Sequence, residues 1–110
     1  MIIDFNSIEA ERLANFKGGK GEYIAKRSGD DTAKIMLGRL EPGSSIGLHT
    51  HEENCEVIYV ISGIGDLIYD DTTEKVIPGQ CHYCPKGHSH SLINNGSEDL
   101  VFFAAVPEVR

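Results

Sequence analysis

Gly43-Ser44-Ser45-Ile46-Gly47-Leu48-His49-Thr50-His51-Glu52-Glu53-Asn54-Cys55-Glu56-Val57-Ile58-Tyr59-Val60-Ile61-Ser62-Gly63 is the stretch from which the rest of the chain is read. It holds two runs rich in β-branched and aromatic residues, Ile46 to His51 and Glu56 to Ile61, with a polar turn from Glu52 to Cys55 between them. On a strand, side chains two apart share a face, so His49 and His51 project together while Thr50 points away. Glu56 opens the second run, and a hairpin return would bring its carboxylate level with the histidine pair. Ile58 and Val60 then share the face of Glu56, whereas Cys55 takes the opposite face and is a poor ligand candidate.

Fifteen residues further on, past Ile64 to Pro78, comes a second patterned stretch. It reads Gly79, five residues, Pro85-x-Gly87, two residues, His90, three residues, Asn94. His90 arrives from a distant strand, as a site inside a barrel requires, where ligands from several strands converge on one axis. Three imidazoles and a carboxylate suit a hard-to-borderline divalent metal, and four protein ligands on a six-coordinate ion leave about two positions open for chemistry or binding. An isolated His-x-His is weak, because histidines often sit on solvated faces. Here it comes with Glu56, His90 and a frame of Gly43, Gly63, Gly79, Pro85, Gly87 and Asn94, residue types suited to positive φ or to corners where strands switch sheets.

Residues 43–63 and 79–94 together resemble the double signature of the cupin superfamily, with the expected residue at every signature position. The resemblance implies an all-β fold, a double-stranded β-helix barrel of the jelly-roll kind, with His49, His51, Glu56 and His90 as ligands of one divalent transition metal ion: manganese, iron, nickel or zinc. It also implies a short-looped, stand-alone cupin without a lid between the motifs, of a type that commonly pairs as a homodimer through its outer sheets. Substrate is beyond its reach, since related sites serve dioxygenases, decarboxylases, lyases and isomerases as well as proteins that only bind a sugar or acid. Two readings are therefore expected: a metal-dependent enzyme acting on a small oxygen-rich metabolite, and a non-catalytic small-molecule binding or sensing module.

The rest of the chain agrees with one all-β domain over residues 1–110. Strand-like runs cover Glu22 to Arg27, Ala33 to Glu41, Gly65 to Asp70, Glu74 to Ile77, Gln80 to Cys84, Ser89 to Asn94 and Leu100 to Val106. Turn clusters at Ser28-Gly29-Asp30-Asp31 and Asp70-Asp71-Thr72-Thr73 separate them, and Asn95-Gly96 has the composition of a tight hairpin. Ser7 to Phe16 is the one helix candidate, with Ser7 as cap; it is short and thin on its apolar face, so residues 1–20 read better as a lead-in packed on the barrel. A length of 110 residues permits a core without staples.

Other residues offer competing chemistry. Cys81-His82-Tyr83-Cys84 has the spacing of a redox pair, but in a strand the two thiols face opposite ways and no helix lowers their pKa. A zinc site from Cys81, Cys84, His88 and His90 meets the same objection and leaves His49, His51 and Glu56 unexplained. His88 shares parity with His90 and is the acid–base candidate at the mouth of the site, its plainer alternative being a rim histidine in the Pro85 to Gly87 turn. The inward face of His82 is open. Glu52 and Glu53 read as a solvated turn, Arg39 as an outward or carboxylate-binding side chain, and Tyr59, Tyr69, Tyr83, Phe102 and Phe103 as core aromatics.

Partners follow from charge. Ten basic against seventeen acidic side chains give a net charge of -7, which repels phosphate backbones and anionic headgroups, so a small molecule rather than nucleic acid or membrane is expected. Met1 to Phe5 lacks the basic leader and apolar run of a signal peptide, and three cysteines, an odd count, fit reduced thiols in the cytoplasm.

Overall fold

A computed structural model describes residues 1–109. Ten strands follow in order: β1 (Glu11–Ala14), β2 (Glu22–Gly29), β3 (Ala33–Leu40), β4 (Ser45–Thr50), β5 (Glu56–Ser62), β6 (Gly65–Tyr69), β7 (Thr72–Val76), β8 (Cys81–Cys84), β9 (Ser89–Ile93) and β10 (Leu100–Pro107). They form two antiparallel sheets, six strands in the order β1-β2-β3-β10-β5-β8 and four in the order β4-β9-β6-β7. This is the all-β jelly roll the two motifs imply, and every strand-like run of the sequence is a strand within a residue or two at its ends.

Alternation decides which face is buried. In β2, β3, β10 and β5 the inward set Tyr23, Ala25, Leu40, Leu100, Phe102, Ala104, Ile58 and Val60 is at most 2% exposed. Tyr23 and Phe102 stack with ring centroids 5.8 Å apart, and β3 contributes Gly38 beneath them. The two Pro-Gly pairs form type II turns: Ser44 N–H donates to Glu41 O and Gln80 N–H to Ile77 O, with Gly43 and Gly79 at φ +85 and +89, where an L side chain is strained.

Several expectations are corrected. Residues 7–16 are not a helix; a 3₁₀ turn at Phe5–Ser7, capped by Asp4 rather than Ser7, leads into β1, which pairs with β2. Asn15 and Lys17 have φ of 53 and 55, which ends any helical path, and pairing at the sheet edge with Leu13 against the core outweighs a weak local propensity. Asn95-Gly96 makes no hairpin, because β9 and β10 belong to different sheets; the residue with positive φ in a two-residue hairpin is Asp70, between β6 and β7. The β4–β5 link is not a hairpin either, since β4 pairs with β9 and β5 with β10 and β8. Tyr59 and Tyr83 are 46% and 56% exposed on the outer face of the six-stranded sheet, not core. Among the described residues no helix is long and apolar enough to cross a membrane.

Candidate metal centre

The four-stranded sheet supplies the histidines and the six-stranded sheet the carboxylate. His49 on β4 stands directly opposite His90 on β9. His51 lies one residue past the end of β4, and Glu56 opens β5 across the interior. The β4–β9 register shifts between Ile46 and His49, so this bulge lets Ile46 and His49, three residues apart, both face inward.

The side chains converge tightly. His51 Nε2 is 3.0 Å from Glu56 Oε1 and 2.9 Å from His90 Nε2; His90 Nε2 is 2.9 Å from Glu56 Oε1 and 3.2 Å from His49 Nε2. His51, Glu56 and His90 are buried and His49 half-buried. Donors at right angles about 2.1 Å from one ion stand about 3.0 Å apart, so these spacings fit one octahedral ion. The outer nitrogens agree: His49 Nδ1 donates to Gly47 O at 2.7 Å and His51 Nδ1 to Asn54 Oδ1, which leaves each Nε2 free to turn a lone pair inward to an ion in place of a proton. Three imidazole nitrogens face one point where lone pairs repel unless a proton or a cation lies between them.

Titration follows this crowding. Burial pushes the Glu56 carboxyl up, but hydrogen bonds from His51 and His90 prevail and hold it down to about 2. The Glu56 contact raises the pKa of His51, whereas burial lowers that of His49. Glu56 is thus an anion at neutral pH, and His49 a neutral imidazole.

The sequence left His82 open, and the fold turns it inward. Its Nε2 lies 3.0 Å from His90 Nδ1, and burial pushes its pKa down to about 4. Neutral His82 gives His90 Nδ1–H an acceptor, so His90 also presents a lone pair at Nε2. The only sequence signal for this role was strand parity, with its sign unknown until β8 was placed.

The rival sites separate. Cys81 is exposed and Cys84 buried, on opposite faces as parity predicts, and Cys55, Cys81 and Cys84 are free thiols. The zinc set of Cys81, Cys84, His88 and His90 does not assemble; instead His82, Cys84 and His90 form a buried trio that shares His90 with the four-residue centre. Burial raises the Cys84 thiol to about 11, which keeps it protonated. His88 lies outside the cavity lining, its Nδ1 2.7 Å from Asp70 Oδ2. Arg39 pairs with Asp99 at 2.9 Å, part-exposed on the outer surface.

His49, His51, Glu56 and His90 border a cavity of about 440 Å³ whose apolar wall includes Tyr23, Met36, Ile58 and Leu92. The family model described as "Cupin domain" matches residues 36–106, a span that contains both motifs. The chain belongs to the cupin family. This cupin is 33% identical over 112 residues to an oxalate-binding protein of Thermotoga maritima, covering 96% of this chain and 93% of that one. A solved structure described as a predicted oxalate decarboxylase, also from Thermotoga maritima, superimposes with a TM-score of 0.93 at 31% identity, covering 99% of the cupin and all of that chain. A sugar phosphate isomerase of the cupin superfamily from Silicibacter pomeroyi matches at a TM-score of 0.82 and 25% identity, over 99% of the cupin and 76% of that chain.

Proposed function

We propose that this cupin binds a small oxygen-rich organic acid, of the class to which oxalate belongs, at one divalent transition metal ion held by His49, His51, Glu56 and His90. The observation that carries the reading is the meeting of three Nε2 atoms and one carboxylate oxygen at 2.9–3.2 Å in a buried wall of a cavity. Such an ion, manganese, iron, nickel or zinc, would act as a Lewis acid that chelates two ligand oxygens and stabilises negative charge on them. The chain supplies the rest. Gly47, Asn54 and His82 fix the imidazole tautomers, Glu56 offsets part of the ion's charge, and Ile58, Leu92 and Met36 keep water from the cavity wall.

Pure binding and turnover remain two readings of one site. The apolar surroundings favour binding: the acidic groups of the lining beyond Glu56 are Glu52 and Glu53, both exposed at the mouth. His88, outside the cavity lining with its Nδ1 2.7 Å from Asp70 Oδ2, stays the acid–base candidate of the enzyme reading, and a His88→Ala variant that releases formate at the wild-type rate would reject that role. The relatives carry both descriptions, oxalate-binding and predicted oxalate decarboxylase. Elemental analysis of protein purified without chelators should give about one ion per chain, lost in His49→Ala/His51→Ala; retention of the metal in that variant would reject the ligand assignment. Calorimetric binding of oxalate with no formate released supports the binding module, and formate release supports the enzyme.

We also infer a homodimer through the outer face of the six-stranded sheet, where Tyr59, Ile61 and Tyr83 are exposed beside Phe103. Light scattering tests it, with a monomer in Tyr59→Glu expected. Three free thiols support a reducing cytoplasmic setting.

A further inference from the structure

The cavity extends well beyond the metal cluster, and charged side chains line it. Lys17, Arg27 and Lys34 are in its lining, as are Glu52 and Glu53. Three of the ten basic residues of an acidic chain thus gather at one cavity. The strand register explains how two of them meet. Arg27 on β2 pairs with Met36 on β3, and Lys34, two residues before Met36 and hence on the same inward face, pairs with Val106 on β10. Val106 lies one residue past the pair Ala105–Val57, which brings it level with Glu56 on β5. Lys34 and the metal-side carboxylate therefore stand two strands apart, about 10 Å between backbones. Arg27 is anchored by Glu11 Oε2 at 2.7 Å, while among the described residues no carboxylate lies within ion-pair distance of Lys34.

Between the two charged ends the walls are hydrocarbon: Met36, Val106, Ile58 and, further in, Tyr23 and Phe16. About 440 Å³ falls in the range of pockets that enclose drug-sized ligands, far more than a six-atom dianion on an ion would occupy. A sugar would leave its hydroxyls unpaired against these walls.

We propose that the natural ligand is a 2-hydroxy- or 2-oxo-dicarboxylate of five or six carbons, chelated at its oxygenated head by the ion, with its far carboxylate held by Lys34 and Arg27. The proposal rests on the metal-centre reading and adds the anionic tail and the chain length. Four carbon–carbon bonds of about 1.5 Å in zigzag carry the far carboxylate about 5 Å from the head, which leaves the remaining gap to the flexible Lys34 side chain.

The test uses manganese-loaded protein and calorimetry with 2-hydroxyglutarate, 2-hydroxypentanoate, which has the same head and chain without the second carboxylate, and oxalate. The expected result is 2-hydroxyglutarate at least about tenfold tighter than either, with that preference falling below about threefold in Lys34→Gln/Arg27→Gln. Both positions are exposed, and circular dichroism together with one ion per chain shows the variant to be intact. Equal affinities in the wild type, a preference unchanged in the variant, oxalate as the tightest ligand, or no binding despite a full complement of metal would each overturn the proposal. Protein that takes up no metal would overturn the metal-centre reading and this inference with it.

Discussion

Replacing His82 separates what the fold needs from what the metal needs. His82→Leu removes what is, among the described residues, the only partner of His90 Nδ1, 3.0 Å away in a buried site, with little change in side-chain volume. Without metal the cost is limited, because His90 can shift its proton to Nε2, 2.9 Å from Glu56 Oε1, and leave Nδ1 as a bare lone pair. An ion at the proposed centre would claim that Nε2 lone pair, pin the proton on Nδ1 and strand it facing a leucine. A buried N–H without a partner costs about 1–3 kcal/mol, and loss of an outer partner of a ligating histidine weakens metal affinity about 10–100-fold, two independent estimates that agree at about 1.4 kcal/mol per tenfold. His82→Gln, which can present a carbonyl or an amide to the same nitrogen, should recover most of the affinity. Competition with a chromophoric chelator reads the dissociation constants, and thermal melts of the metal-free proteins give the fold contribution. If His82→Leu binds metal within about twofold of wild type, or if His82→Gln loses as much as His82→Leu, His82 does not orient His90.

The remaining predictions concern pH and the core. The folded pKa of His82, about 4 against 6.5, is depressed, so its contribution to metal-free stability is complete above pH 6.5 and is lost as pH falls toward 4. His49 acts in the same direction, while His51, whose pKa is raised, contributes below 6.5 and loses that contribution as pH rises through its folded value. Urea titrations at pH 7 and pH 5 should therefore show His82→Leu less sensitive to acid than wild type; equal pH dependence would contradict the buried neutral imidazole. A Cβ on Gly38 would sit 2.6 Å from Phe102 Cζ and 2.7 Å from Tyr23 Cε1, so Gly38→Ala should cost about 1–3 kcal/mol in urea unfolding, and a neutral result would mean the aromatic stack can shift freely. Asn94 is fully buried, its amide donating to Leu40 O at 2.7 Å and Glu98 O at 2.8 Å and accepting from Gly96 N–H at 2.9 Å. Asn94→Ala should destabilise by about 3 kcal/mol, and Asn94→Asp by more, because a carboxylate would face two carbonyl oxygens; the opposite order would refute this role.

Asn94 shows where sequence and structure divide. Its position in the second motif was legible, but its work, tying the start of the β9–β10 crossing to β3, needs partners as far as 54 residues away in the chain. Gly43 and Gly79 were legible for a local reason: after proline, a type II turn needs positive φ, and the dipeptide states it.

Period-two alternation and turn chemistry are local, so the sequence by itself determined the nine main strands, the all-β class, the shared face of His49 and His51, and the opposite faces of Cys81 and Cys84. Everything that depended on which strand lies beside which was settled by tertiary structure. That includes β1 in place of a helix, Glu56 reaching the histidines across two sheets instead of along a hairpin, the bulge that turns His49 inward beside Ile46, and the rotation of β8 that brings His82 to His90 while leaving His88 with Asp70. Strand periodicity fixes which side chains share a face, and only packing of the two sheets decides which face is the inside.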